Sequence, residues 1–315
     1  MAPTAAERWA KARTFHHSAY PAARIAAERT QSVSVCLPAR ECAATVGEIV
    51  GALVGLREMG AIDEIVVIDA GSRDGTAAVA RGAGATVHQE AELLPQFGPV
   101  LGKGDAMWRA LSVLQGELVC FMDADTAGFS PEAHFATGLL GPLVCEPGVA
   151  FVKAFYRRPF EHGGVALHEG GGRVNHLLAR PALELFYPEL AGVRQPLAGE
   201  IAARRELLES LPFTTGYGVE MAMLLDVWRR LGGEGVAQVD LEVHRNSHRS
   251  LEALAPMART VLATIAQRLQ RDGRLNGLEL DEALVERPPL AEVRLSAPAA
   301  LPAAERTSEQ RGAAR

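Results

Sequence analysis

Asp123-Ala124-Asp125 directly follows the apolar run Leu118–Met122. If that run is a buried strand, both carboxylates stand at its mouth, where two close negative charges repel unless a cation neutralises them. Hard oxygen ligands, with substrate phosphates completing the octahedron, suit Mg²⁺ or Mn²⁺. A solvated turn, or a helix N-cap by Asp125, would use the same residues. His244 ends the run Val236–Val243 and precedes Arg245, Asn246 and His248. It is a candidate third metal ligand, although a lone histidine is as readily structural.

Four further stretches bear on anionic ligands. Asp69-Ala70-Gly71-Ser72-Arg73-Asp74-Gly75-Thr76 offers carboxylates to a ribose or base, or else ordinary turn and N-cap chemistry. Gly102-Lys103-Gly104-Asp105 opens a helical pattern and sets an ammonium beside helix N-terminal amides, a combination that suits phosphate. Its spacing is not that of a P-loop. Gly170-Gly171-Gly172-Arg173-Val174 exposes backbone amides next to a guanidinium, with Arg157 and Arg158 adding positive charge; a flexible linker would read the same way. Tyr217 and Glu220 sit where a loop becomes a helix, where a glutamate also complements the helix dipole.

The elements that must position these residues alternate in short order. Val33–Leu37, Glu64–Ile68, Thr86–Gln89 and Glu117–Met122 read as strands. Ala44–Arg57, Gly75–Arg81 and Lys103–Leu114 read as helices between them. The alternation predicts βαβ units, and the unbroken apolar strands predict a mostly parallel sheet covered on both faces. Ligands of such sheets bind beyond the carboxyl ends of the strands. Pro38–Glu41, Asp69–Asp74 and Asp123–Asp125 all fall there. Past residue 145 the pattern changes to a strand at Val149–Tyr156, a helix at Val174–Leu185, a helix at Val219–Leu231, a strand at Val236–Val243 and a long amphipathic helix at Leu251–Arg271. The predicted divisions are a helical extension (1–31), a nucleotide-binding half (32–145), an acceptor half (146–250), a C-terminal helix (251–285) and a mobile tail (286–315).

The chain has 315 residues, 32 Lys+Arg against 38 Asp+Glu, and 48% hydrophobic residues, enough for a substantial core. A net charge of −6 argues against bulk nucleic-acid binding. The four cysteines show no C-x-x-C spacing and read as free thiols in a reducing compartment. No apolar stretch approaches the roughly 20 residues of a membrane span, and residues 1–17 lack the apolar core of a secretory signal. A soluble, cytoplasmic protein is expected. Pro38-Ala39-Arg40-Glu41 stands where a dinucleotide oxidoreductase would carry its glycine fingerprint.

Together, Val33–Pro38, Asp69-Ala70-Gly71-Ser72, Gly102–Arg109 and Asp123-Ala124-Asp125 resemble the GT-A glycosyltransferases. Phe155–Pro159, Gly170–Val174, Gln195–Glu200 and Gly216–Glu220 narrow the resemblance to the actinobacterial glucosyl-3-phosphoglycerate synthases and their mannosyl counterparts, over about residues 32–272. The resemblance implies an α/β fold: a GT-A, Rossmann-like nucleotide-sugar half, a mixed-sheet acceptor half and a C-terminal helical extension. It implies a retaining hexosyltransferase that uses a nucleoside-diphosphate hexose, 3-phosphoglycerate and Mg²⁺ or Mn²⁺, acts without nucleic acid or membrane, and forms a homodimer. Pro38, Ala39, Glu41, Asp69, Ser72, Lys103, Ala124, Tyr217 and Glu220 would bind the donor. Gly172, Arg173, Val174, Asn175 and Asn246 would bind the acceptor. Asp123, Asp125 and His244 would hold the metal, and Lys103, Asp123 and Glu220 would serve catalysis. The family commonly carries Asn-Glu where this chain has Glu41-Cys42, Thr at Asn175 and Arg at Glu242. Mannosyl transfer from GDP-mannose, or a silent nucleotide-sugar-binding homologue, are the alternatives.

Overall fold

A computed structural model describes residues 2–162, 165–167, 171–245, 250–277 and 284–296. The strands are β1 (Thr14–His16), β2 (Val33–Ala39), β3 (Glu64–Asp69), β4 (Thr86–Gln89), β5 (Leu118–Phe121), β6 (Phe151–Arg157), β7 (Phe160–His162), β8 (Val165–Leu167), β9 (Ile201–Arg204), β10 (Phe213–Thr214), β11 (Val236–Val243) and β12 (Glu286–Arg287). The helices are α1 (Ala5–Arg13), α2 (Ala22–Glu28), α3 (Val46–Glu58), α4 (Thr76–Ala83), α5 (Lys103–Ala110), α6 (His134–Cys145), α7 (Arg180–Phe186), α8 (Arg205–Glu209), α9 (Val219–Leu231), α10 (Leu251–Arg271) and α11 (Leu290–Ser296).

Eight strands form one sheet in the order β1-β11-β6-β9-β5-β2-β3-β4. Only β9 runs antiparallel, paired with β5 on one side and β6 on the other. The two halves predicted from the sequence therefore share a single sheet, and β9 is the seam between them. Along β2, Val33, Val35 and Leu37 enter one core and Cys36 the other. A strand buried on both faces keeps no polar side, which is why it reads as a continuous apolar run. Residues of α3 and α6 cover the first face, and those of α5 and α9 the second. A third cluster joins α7, α9 and α10. None of the described helices is long and apolar enough to cross a membrane.

Two terminal segments depart from expectation. The first 31 residues are not only helical: β1 adds an edge strand, with Thr14, Phe15 and His16 in parallel register with Gln238, Val239 and Asp240. A three-residue edge strand is too short to show periodicity. Residues 286–296, expected within a mobile tail, are docked instead. β12 pairs with β10, and Leu290 is buried in the core beside Trp108, whose Nε1 donates to the Pro288 carbonyl at 2.8 Å. Arg287 donates to both oxygens of the buried Asp105, at 2.8 and 2.6 Å, and to the Phe97 carbonyl at 2.8 Å. Ionic and single-residue anchors leave no hydrophobic period to read.

Asp105 lies two residues after Lys103 and also accepts from Arg109 and from the Leu101 N–H. Although burial opposes its ionisation, Arg287 and these donors hold its carboxyl below the usual carboxylate range. Arg287→Ala removes a hydrogen-bonded partner from a buried charge. It should destabilise the fold by about 3 kcal/mol, the low end for a broken buried pair because Arg109 remains. A urea unfolding curve of the variant against the parent checks this; superimposable curves would show that the docked segment contributes nothing.

Candidate active site

The polar residues singled out above converge at the carboxyl ends of the parallel strands. Ala39 and Asp69 end β2 and β3 in register with one another. Asp69 is buried and accepts from Gln89 Nε2 at 2.9 Å, and weakly from the Ser72 N–H at 3.3 Å. Glu41 adopts a left-handed backbone (φ 53°), its N–H donating to Ser72 Oγ at 2.9 Å and its carboxylate accepting from the Arg73 N–H at 2.9 Å. The β2 and β3 loops are thus interlocked. The Ala124 carbonyl accepts from Thr45 Oγ1 at 2.6 Å, which ties the Asp123–Asp125 loop to the same wall.

Lys103, the first residue of α5, lies between two carboxylates. Its Nζ is 2.6 Å from Asp123 Oδ1 and 3.1 Å from Glu220 Oε1, in the first turn of α9. Burial opposes its charge, but Asp123, Glu220 and Glu200 outweigh that penalty and hold the ammonium protonated far above any working pH. Tyr217 stands at the rim, 42% exposed.

Behind Asp123 is a buried polar column. Glu200, the residue before β9, accepts from the Tyr156 hydroxyl at 2.6 Å and lies 3.2 Å from His244 Nε2. The Tyr156 and His244 rings stack 4.6 Å apart, and Thr126 Oγ1 meets His244 Nε2 at 3.0 Å. Arg158 donates to the Tyr156 hydroxyl at 2.9 Å. Burial alone would raise the Glu200 carboxyl, yet His244, Arg158 and the Tyr156 hydroxyl hold it well below the usual range. Lys153, wholly buried on β6, donates to the Ala198 carbonyl at 2.8 Å, and burial pushes its ammonium down to about 8.

Ligand atoms of Asp123, Glu200 and His244 lie within 4.8 Å of one another. The structure therefore brings Asp123 and His244 together as expected, but with Glu200 as the third member of the cluster. Asp125 is more exposed and stands beside that group. Burial of its carboxyl, and then the charge of Asp123, push it upward. The buried Nδ1 of His244 has no hydrogen-bond partner. Paired carboxylates, one of them raised by its neighbour, in one group with an imidazole, fit a divalent cation.

On the acceptor side, the Gly171 N–H donates to the Arg158 carbonyl at 3.1 Å, and Gly172 turns left-handed (φ 69°) before the helical segment that Arg173 and Val174 open. First-turn amides of such a segment point outward along its axis and favour anions. Asn175 is a partial correction. Its side chain is buried and braces the loop after α7, donating to the Arg194 carbonyl at 3.4 Å and accepting from the Leu197 N–H at 3.3 Å. Residues 175–179 form a π-helical turn. Gly170 and Asn246 lie outside the described residues. Sequence reasoning gave Arg158 only as added charge beside the glycine run, placed Tyr156 and Glu200 only within stretches that carry the resemblance, and assigned Lys153 nothing. The signals for Glu200 were its place in the Gln195–Glu200 stretch and a carboxylate set directly against the apolar Ile201–Ala203.

Glu90, in the turn after β4, has its carboxyl pushed up to about 7 by burial, with the charge of Asp105 next. A raised carboxyl favours the folded state fully below its unfolded value of 4.5, and that advantage is lost as pH rises through about 7. Glu90→Gln should therefore gain stability over the parent between about pH 5 and about pH 8, by at most about 3 kcal/mol. Denaturant midpoints at both pH values test this; an equal gap at each would contradict it.

Comparison with known proteins agrees with this geometry. Residues 34–130 match the model of Glycosyl transferase family 2. The chain is 43% identical over 262 residues to a glucosyl-3-phosphoglycerate synthase of Mycolicibacterium smegmatis, covering 83% of this chain and 86% of that one. Among solved structures, the mannosyl-3-phosphoglycerate synthase of Rubrobacter xylanophilus superposes with a TM-score of 0.84 at 44% identity, over 93% of this chain and 99% of that one. The Mycobacterium tuberculosis glucosyl-3-phosphoglycerate synthase, in complex with Mn²⁺, UDP-glucose and phosphoglyceric acid, superposes with a TM-score of 0.78 at 39% identity, over 90% and 99%.

Proposed function

The chain belongs to the glucosyl-3-phosphoglycerate synthase family of GT-A glycosyltransferases, and from that premise we propose that it transfers glucose from a nucleoside-diphosphate glucose to the 2-hydroxyl of 3-phosphoglycerate, with retention at the anomeric carbon. The observation that carries the reading is the contact of Lys103 with both Asp123 and Glu220, at 2.6 and 3.1 Å, at the mouth of the sheet. One ammonium there joins the acidic pair of the strand end to the helix that faces it.

Asp123, Asp125 and His244 would hold the divalent cation, with Glu200 orienting His244 from behind. When bound, the cation supplies Lewis-acid stabilisation to the departing diphosphate. Lys103, kept protonated by its carboxylate neighbours, brings a second positive charge to the same place. Glu220 binds donor-sugar hydroxyls, with Tyr217 at the rim, and the β2 and β3 loops from Pro38 to Ser72 hold the nucleoside. Arg173 and the amides from Gly172 to Asn175 fix the acceptor phosphate, so that the 2-hydroxyl is presented to the anomeric carbon. The leaving phosphate takes the acceptor proton on the same face.

UDP-glucose with Mn²⁺ is the first donor to assay because the Mycobacterium tuberculosis complex holds both. Mg²⁺ is the second metal to compare. The likeness to the Rubrobacter xylanophilus enzyme supports mannose transfer as the second reading. Turnover with 3-phosphoglycerate, comparing UDP-glucose, GDP-glucose and GDP-mannose, tests both. Preferred glucose transfer supports the first reading, mannose preference moves the chain to the second, and no turnover from any donor overturns both in favour of a silent homologue. A cytoplasmic homodimer is part of this proposal. Leu177, Leu185 and Leu251 are exposed on the α7–α10 side, and light scattering of the purified protein would measure the subunit number.

A further inference from the structure

We propose that His16, His17 and Glu242 form a second metal site, of the zinc class, where the N-terminal edge strand meets the end of β11. None of the roles proposed above for the transfer falls on these residues. Ligand atoms of the three lie within 4.8 Å of one another. Glu242 Oε1 is 3.6 Å from His16 Nε2 and 3.4 Å from His17 Nε2. Metal–ligand bonds of about 2.0–2.2 Å in a tetrahedron set neighbouring donor atoms about 3.3–3.6 Å apart. The carboxylate therefore already keeps a tetrahedral edge to each imidazole. Two imidazoles and one carboxylate leave a fourth position open to water, and His16 is exposed enough to admit an ion from solvent.

Three independent observations point the same way. His17 Nε2 is buried with no hydrogen-bond partner, an orphaned atom that a metal bond would satisfy. Glu242 holds a left-handed backbone (φ 64°) where the β11–β6 register breaks between Asp240 and Val243, its N–H donating to Asp240 Oδ1 at 2.8 Å. A bulge of this kind re-aims a side chain, here toward β1, and the unfavourable backbone calls for compensation. His16 Nδ1 lies 2.8 Å from Ser18 Oγ and 3.2 Å from the Ser18 N–H. With Nε2 on a metal, Nδ1–H donates to Ser18 Oγ and the longer N–H contact is given up, which is the outer-shell arrangement metal-bound histidines use. His134 packs 4.7 Å from the His17 ring, but its Nε2 faces the Leu241 carbonyl at 3.3 Å, so it stays outside the ligand set. The site would pin the edge strand to the end of β11, two residues before His244.

Zn²⁺ is titrated calorimetrically into the full-length protein in excess Mg²⁺, which competes for carboxylates and not for paired imidazoles. The parent is expected to bind one more equivalent of Zn²⁺ than the His16→Ala/His17→Ala variant. Ser18→Ala should weaken that equivalent by roughly tenfold or more. Glu242→Gln keeps the side-chain volume and should weaken it further, so it carries the test if the double variant fails to fold. Co²⁺ loaded in place of Zn²⁺ should show the visible bands of a tetrahedral centre in the parent and lose them in Glu242→Gln. Equal Zn²⁺ stoichiometry and affinity in the parent, the double variant and Glu242→Gln would overturn the proposal.

Discussion

Lys103→Met should lower kcat by roughly 10²–10³, the loss seen when one preorganised electrostatic donor is removed from a site of developing negative charge. Lys103 is the only described residue whose ammonium touches both Asp123 and Glu220. Methionine keeps the length and packing of the stem and removes the charge. Asp125, whose carboxyl is already pushed up by burial and then by Asp123, would then lose the lowering charge of Lys103, so its protonation should move to higher pH. The alkaline limb of the rate profile would not move, because the parent ammonium stays protonated far above it. The acid limb should shift upward. Arginine should not rescue the variant, since its planar fork needs width where Lys103 offers a compact head wedged between two carboxylates. Saturating kinetics with UDP-glucose and 3-phosphoglycerate decide the matter. An unchanged kcat with a raised KM for the donor would reduce Lys103 to a ground-state contact.

What the sequence displayed of this arrangement follows from how each feature is encoded. Helix α9 and strand β11 were legible to the residue, because Val219–Leu231 carries a 3.6-residue apolar period and Val236–Val243 alternates Val239, Leu241 and Val243 with Asp240 and Glu242. The loops ending β2, β3 and β5 were legible as polar clusters after apolar strands. The sequence pattern predicts one helix over Lys103–Leu114, yet α5 ends at Ala110 and the chain continues as turns, with the Ser112 and Val113 N–H groups donating to the Arg109 and Ala110 carbonyls three residues back. Glu200 could not be read as a site residue, because Tyr156 and His244 lie 44 positions away on either side and only the sheet order brings them to it. Lys153 falls inside the strand predicted over Val149–Tyr156 without any signal of its own, and its amine donates to the Ala198 carbonyl. Arg287 and Leu290 were hidden for the opposite reason: one charge and one leucine do the anchoring, and neither makes a pattern. Local periodicity is written in contiguous residues, but a site at a sheet mouth is written in pairs that only the fold joins.

Gly199→Ala should cost about a hundredfold in kcat/KM while leaving a folded protein, because it displaces this junction without removing any of its groups. A methyl on Gly199 would sit 2.4 Å from Lys103 Nζ and 2.8 Å from both oxygens of Asp123. The ammonium ends a flexible chain and can swing aside, but doing so breaks its 2.6 Å contact with Asp123. The carboxylate ends a short side chain on the strand mouth and has less room to give. If the backbone moves instead, the shift reaches Ala198, held by Lys153, and Glu200, held by Tyr156 at 2.6 Å. Every relaxation path therefore misplaces at least one group of the site, and a displacement near 1 Å is enough for a loss of about 10². Overpacking of this size costs roughly 1–3 kcal/mol of stability. Gly51→Ala in α3, where an added methyl meets nothing within 4 Å, is the matched control and should leave activity unchanged. Near-parental turnover in Gly199→Ala would mean that the Lys103–Asp123 contact opens before the transition state. The large Lys103→Met effect would then belong to the diphosphate alone.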